Sequence, residues 1–293
     1  MKKNTLILTG TLGLLLFLAW YVINRPGEQS VSSTNSLMLI SVDSLAVDKV
    51  EISSPSNNIV LERKGIEWFL ASPVAYRADQ SSVTSLIHQA KNMVVKGTVS
   101  SNPAKRGMFQ VDSTGTLVRI SQQGKGAVSF VVGKMGQSYT ETYARKEESN
   151  DVVIVEGFLS WIFNKAPKDW RDKTVLNLPR ENVKEISFQY PGETFTLSLR
   201  DSIWMLGNAK TKAADVTSLI SSLTALQTDN FVDSTLSPMP KVVATISVGG
   251  VQVRISESQD KEKYLVQTSN SPQWFSLQSW RVKQILKHKK DLV

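Results

Sequence analysis

From Val50 onward the chain alternates apolar and polar positions with a period of two. Val50 and Ile52, Ile59 and Leu61, and Trp68 and Leu70 each put two large apolar side chains on one face of a short extended segment. The period then lengthens. Val83, Leu86, Ile87 and Ala90 fall on one face of a helix that Asp79 can cap and that runs to about Met93. Short strands are predicted near residues 117–121, 127–132, 140–145 and 152–155, and a helix with Phe158, Leu159, Ile162 and Phe163 closes the set.

The same order then begins again. Ile186 and Phe188, Phe195 and Leu197, and Trp204 and Leu206 repeat the three-strand opening, and Ala214-Asp215 begins a helix carrying Val216, Leu219, Ile220, Leu223 and Leu226. At a constant offset of 136, Val50 matches Ile186, Ile52 matches Phe188, Leu61 matches Leu197, Trp68 matches Trp204 and Ala78-Asp79 matches Ala214-Asp215. After a gap of three residues, Val83-Thr84-Ser85-Leu86-Ile87 recurs letter for letter as Val216-Thr217-Ser218-Leu219-Ile220. Self-similarity of this kind marks a duplicated unit.

Short strands with single helices between strand runs favour antiparallel meanders packed on a helix. The expected fold class is therefore α+β: two tandem copies of an antiparallel-strand-plus-helix unit, at 47–175 and 183–293, behind an N-terminal transmembrane helix. Trp68 and Trp204 sit where each third strand precedes its helix. They read either as fillers of the strand–helix core or as platforms on which a ligand stacks.

Ahead of both units, residues 5–23 carry no charge over 19 positions. As a helix they span about 28 Å, close to a bilayer hydrocarbon thickness of roughly 30 Å. The run is longer than the core of a cleaved signal, and Phe17, Leu18, Trp20 and Tyr21 around Ala19 fit a peptidase site badly. An uncleaved, single-pass anchor is expected. Lys2 and Lys3 outweigh Arg25, which puts residues 1–4 in the cytoplasm and the bulk of the chain on the periplasmic face of a bacterial inner membrane. Residues 24–46, with the small polar stretch 27–36, read as a linker.

Composition narrows the chemistry. Hydrophobic residues at 41% and charged residues at 20% suit a folded chain. The net charge of +8 is dispersed, except where Lys283, Lys287, Lys289 and Lys290 gather around His288, a tail that reads as a solvated end or as a contact for anionic lipid. No basic stripe interleaved with aromatics points to nucleic acid. Cysteine is absent, which removes disulfides and thiolate metal sites. The two histidines, His88 and His288, lack partners at ligand spacing, so no metal is expected. No Gly-x-Ser-x-Gly elbow or phosphate loop occurs; Gly133-Lys134-Met135-Gly136 and Gly249-Gly250 read as turns between strands. No catalytic residue and no cofactor are expected. The densest mixed-charge cluster is Asp169-Trp170-Arg171-Asp172-Lys173. It reads as a brace between the units, or as a partner-docking spot in which Trp170 and Arg171 are the anchors.

Several short motifs stand in a definite order. A strand pair leads to Trp-x-hydrophobic, then Pro73, then Ala78-Asp79 and an amphipathic helix. Phe109-Gln110-Val111-Asp112, Val132-Gly133-Lys134, Tyr143-Ala144-Arg145 and Trp170-Arg171-Asp172-Lys173 follow. Over roughly residues 50–231 this resembles the bacterial DUF4340 family. Gln110 departs from it, because a Gly is usual before the hydrophobic-Asp pair. The resemblance implies an anchor of one N-terminal helix and a place beside an ABC transporter of the gliding-motility-associated type, with its permease and auxiliary membrane components. No catalytic residues are assigned to that family, so none is carried over.

The expectation is then a non-enzymatic accessory or scaffold protein of an ABC-transporter-like envelope complex, partnered by a permease or auxiliary subunit. The alternative is an envelope glycan-binding module or hydrolase with its site between the two repeats.

Overall fold

The computed structural model describes residues 37–293. The anchor expected at 5–23, the cytoplasmic residues 1–4 and the first part of the linker lie outside the described residues. Among the described residues, no helix is long and apolar enough to cross a membrane. Folded structure begins earlier than the alternation suggests. Leu39, Ile40 and Val42 are buried and Met38 bridges Val94, so the end of the expected 24–46 linker already belongs to the first core.

The first unit comprises β1 (Val47–Ser53), β2 (Asn58–Lys64), β3 (Glu67–Ser72), β4 (Tyr76–Arg77), α1 (Gln80–Lys91), β5 (Val95–Ser100), β6 (Thr116–Gln122), β7 (Gly126–Met135), β8 (Glu141–Lys146), β9 (Val152–Glu156) and α2 (Leu159–Phe163). A short strand, β10 (Thr174–Asn177), leads into the second unit. That unit comprises β11 (Glu185–Tyr190), β12 (Glu193–Arg200), β13 (Ile203–Leu206), β14 (Ala209–Lys210), α3 (Ala213–Thr224), β15 (Ala225–Gln227), β16 (Asn230–Val232), β17 (Val242–Val248), β18 (Val251–Glu257), β19 (Lys263–Thr268) and β20 (Trp274–Gln278). It ends in α4 (Ser279–Ile285) and α5 (Lys289–Leu292).

The first sheet runs β4-β3-β2-β1-β6-β7-β8-β9-β5 and the second β14-β13-β12-β11-β17-β18-β19-β20-β16. The two paths are the same, strand for strand. Registers agree as well: Val50 faces Leu61 and Ile120, and Ile186 faces Leu197 and Val248.

The expected α+β class is corrected by these sheets. The described chain is mostly β, with two nine-stranded antiparallel sheets and one twelve-residue helix in each unit. The strand count was hidden at the sheet edges. Strands such as β5 are largely exposed and β4 and β14 are two residues long, so they leave no apolar alternation to read.

Each helix packs its apolar face on its own sheet. Val83, Leu86, Ile87 and Ala90 of α1 are buried with Val50, Leu61, Ile120 and Phe130; Val216, Leu219 and Leu223 of α3 are buried with Ile186, Phe188 and Ile246. Each of the Val, Leu and Ile side chains contributes on the order of 1.5–3 kcal/mol by leaving water. On the first sheet, residues of opposite parity (Leu117, Val131, Tyr143, Val152 and Ile154) form a second, smaller core on the far face, closed by Phe109 and Val111.

The helices also correct one repeat match. Asp79 caps α1 by accepting from Ser82 N at 2.6 Å, whereas Lys212 holds that place in α3 and Asp215 lies inside its first turn. Trp68 O accepts from Ala78 N, and Trp204 O accepts from Thr211 N. Ala78 thus corresponds to Thr211, not Ala214. The three-residue difference falls after β3: Leu70 pairs with Tyr76, while Leu206 pairs with Ala209.

Candidate functional site

The segment leaving α2 stitches the units together. Asp79 N donates to Trp170 O, Asp172 N donates to Arg77 O and Ala78 bridges Arg171, so this stretch lies along the β4 edge of the first sheet. It then crosses over. Thr228 N donates to Lys173 O, and β10 pairs with β15 of the second unit.

Arg171 occupies the crossing point at 2% exposure. Its Nη1 donates to both Asp233 carboxylate oxygens, at 2.9 and 2.8 Å, and its Nη2 to Gln273 Oε1 at 3.1 Å. The guanidinium lies 3.7 Å from the Phe231 ring centre and 4.3 Å from that of Tyr76. Tyr76, from the first unit, packs against the second core and meets Phe231 edge-on at 5.2 Å. Cation–π contact and a two-oxygen ion pair therefore converge on one buried charge. Burial pushes the Tyr76 phenol above its ordinary value; the Arg171 cation opposes this, and Asp172 and Asp233 add to it.

Trp170 is fully buried, with the Lys165 ammonium 5.1 Å from its ring centre. The docking-spot expectation for Trp170 and Arg171 is corrected accordingly: both are spent inside the molecule, as the brace between units. The sequence could not name their partners. A buried Arg calls for a carboxylate, but which of the 26 acidic residues supplies it is decided by the fold.

Over this brace opens a groove of 640 Å³. One wall is Val74 and Ala75 from the loop after β3, with Tyr76 of β4; the other comes from the β16–β17 and β19–β20 connections, with Leu236, Met239 and Pro272, and from Trp274 at the start of β20. Met239 is 73% exposed. Asp233 is the lining's carboxylate, half-exposed and already holding Arg171. The wall from the first unit is the stretch in which that unit is three residues longer than its copy.

Trp68 is 7% exposed within the first core, and Trp204 packs partly buried against the second. Both fill the strand–helix layer, and neither lines the groove. His88 lies on the exposed side of α1 beside Asn92. His288 does have a carboxylate: its Nδ1 is 2.9 Å from Glu193 Oε2, and its ring stacks on Tyr190 at 4.7 Å. Ninety-five residues separate the pair, which is why the sequence hid it. The basic tail is folded onto the second unit, with Leu292 buried and Lys212 N donating to Leu292 O. Among the described residues, no group of three or more His, Cys, Asp or Glu could hold a metal ion.

The motifs of the first unit's later strands meet behind its sheet. A Cβ on Gly133 would fall 2.3 Å from Phe109 O. The Phe109 and Tyr143 rings lie 4.8 Å apart, and Arg145 Nε donates to Val111 O at 3.0 Å. Gln110, where a Gly was expected, adopts a left-handed φ of 54°. These residues latch the 101–115 excursion to the far face of the sheet. The motifs thus serve folding at two places, the latch and the brace.

Neither the curated proteins nor the solved structures yield a match. A family model described as "Domain of unknown function (DUF4340)" matches residues 68–244, which run from the core Trp68 through the latch and the brace to β17. With more than half of its length matched, the chain belongs to the DUF4340 family.

Proposed function

We propose that the chain is a membrane-anchored accessory protein, not an enzyme, that stands on the periplasmic face of a bacterial inner membrane. It contacts a permease or auxiliary subunit of an ABC-transporter-like complex through the groove between its two units. The uncharged run at 5–23 supports the anchor, and the DUF4340 resemblance supports the neighbourhood.

The observation that carries the reading is the groove's lining. Val74, Leu236, Met239, Pro272 and Trp274 offer apolar surface around a single carboxylate that is committed to Arg171. Met and aromatic residues are the types enriched in protein interfaces. Hydrolysis of a glycosidic bond ordinarily takes two carboxylates, so the hydrolase alternative draws less support from this lining.

A photo-crosslinking amino acid at Met239, in the full chain in its native membrane, tests the proposal. The expected adduct is a multi-span membrane subunit of the permease type. An adduct to saccharide, or repeated recovery of the chain without any adduct, would sink it.

A further inference from the structure

A second surface stands open on the first unit, where β9 turns into α2. Phe158 and Trp161 are 48% and 73% exposed and three positions apart, so they share the outer side of the turn, while Leu159 and Phe163 are buried. Phe158, expected within the helix, stands just before it at the N-cap position and makes no side-chain cap bond. Tyr139, 81% exposed, lies in the β7–β8 connection, which is tied to this corner by Gly157 N donating to Thr140 O at 2.7 Å. Three large aromatics gathered at one exposed corner mark an interaction surface.

Beside them is a cavity of 570 Å³ bordered by Phe158, Trp161, Asn164, Lys165 and Lys173. Lys173 is paired with Asp169 at 3.0 Å. Lys165 donates to Ser82 Oγ at 3.0 Å and, among the described residues, has no carboxylate within ion-pair distance.

We infer that this corner docks on a lipid surface carrying anionic headgroups. Phe158, Trp161 and Tyr139 sit at the boundary between headgroups and acyl chains, where amphipathic aromatic rings settle, and Lys165 meets a lipid phosphate. The chain before Leu37 favours this occupant. It holds the 19-residue apolar run, and the thirteen positions from 24 to 36 can reach at most about 45 Å. Leu37 lies on the same edge of the first sheet, because Val95 N donates to Leu37 O and Val95 pairs with Val155 near the end of β9. An inserted anchor therefore keeps the corner within reach of the bilayer. This inference rests on the anchored reading proposed above.

Because the chain has no cysteine, Ser160→Cys in the full chain carries an environment-sensitive fluorophore to the cavity rim. Ser202→Cys, on an exposed turn of the second unit, is the reference. In nanodiscs of phosphatidylcholine and phosphatidylglycerol, the label at 160 should shift to the blue and be quenched by nitroxide lipid, and the label at 202 should not. Phe158→Ser combined with Trp161→Ser should abolish the shift, with the circular dichroism spectrum unchanged. Lys165→Gln should lower the ratio of inserted to free label about fivefold. An unshifted label at 160 in chain that stays with the discs overturns the lipid corner and leaves the anchor standing. Chain that does not stay with the discs overturns the anchor and this inference together. A shift that needs added membrane protein assigns the corner to a protein partner and overturns the lipid assignment.

Discussion

Arg171 grips Asp233 across the junction with both carboxylate oxygens within 2.9 Å, yet the two residues see different solvents. The arginine side chain is 3% exposed and the aspartate 46%. Losing the aspartate strands a buried cation; losing the arginine strands a carboxylate that water can reach. Asp233→Ala should therefore cost about 3 kcal/mol or more, the usual penalty for breaking a buried pair. Arg171→Met with Asp233→Leu should recover part of that loss. Urea unfolding checks both, and a cost for Asp233→Ala below about 1 kcal/mol would refute the brace.

The latch makes opposite predictions at two neighbouring backbones. Gln110 holds a left-handed φ of 54°, which costs a residue with a Cβ about 1–2 kcal/mol. Gln110→Gly should raise stability by about 0.5–1 kcal/mol after the added freedom of the unfolded chain is subtracted. Gly133→Ala places a methyl 2.3 Å from Phe109 O and should destabilise by about 3 kcal/mol or prevent the latch from closing. Thermal midpoints that move in the same direction for both variants would contradict this account.

Two tryptophans nine positions apart differ in worth. Trp170 is completely buried, so Trp170→Ala should cost about 3–5 kcal/mol. Trp161 is 73% exposed, and Trp161→Ser should stay within about 0.5 kcal/mol of the parent protein. Calorimetry of the pair separates framework from surface; a large loss at Trp161 would place that ring in a core.

Asp79 links stability to acid. Burial works to raise its pKa, but hydrogen bonds from Ser81 and from the Ser82 backbone and side chain, aided by Lys165, hold it below its ordinary value. A depressed folded-state pKa stabilises the fold above the unfolded value of about 3.9, and that contribution is lost as pH falls through the folded pKa. Asp79→Asn keeps a capping oxygen without the titration, so its stability should fall less steeply below about pH 4 than that of the parent. Parallel acid-unfolding curves for the two proteins would remove Asp79 from the linkage.

Much of the central architecture could be read from the residues. Val50, Leu61, Ile186 and Leu197 alternate because each strand buries one face, and the matched registers follow from that alternation. The recurrence of Val83-Thr84-Ser85-Leu86-Ile87 located α1 and α3 because a helix on a sheet shows its face every three to four residues. The edges were illegible: β5 and β16 find their places by pairing with β9 and β20 far along the chain, which local pattern does not encode. The Ala-Asp match misled because two letters recur easily, and only the hydrogen bonds to Trp68 O and Trp204 O show which residues correspond. The brace was legible as a cluster and illegible as a contact. Trp170 and Arg171 announced a site, but Tyr76, Phe231, Asp233 and Gln273 reach it from three separate stretches of chain.

The three extra residues after β3 also set a limit on growth. In the first unit they carry the chain out to Tyr76, which enters the core of the unit that follows. At the corresponding place the second unit has only Gly207 and Asn208 between its strands, and Ala209 stands where Tyr76 would be. The contact is head-to-tail, the kind that propagates into filaments when every member presents both halves. Here the second member keeps the socket and lacks the plug, so the pairing is used once within the molecule and offers no seed for a chain of copies.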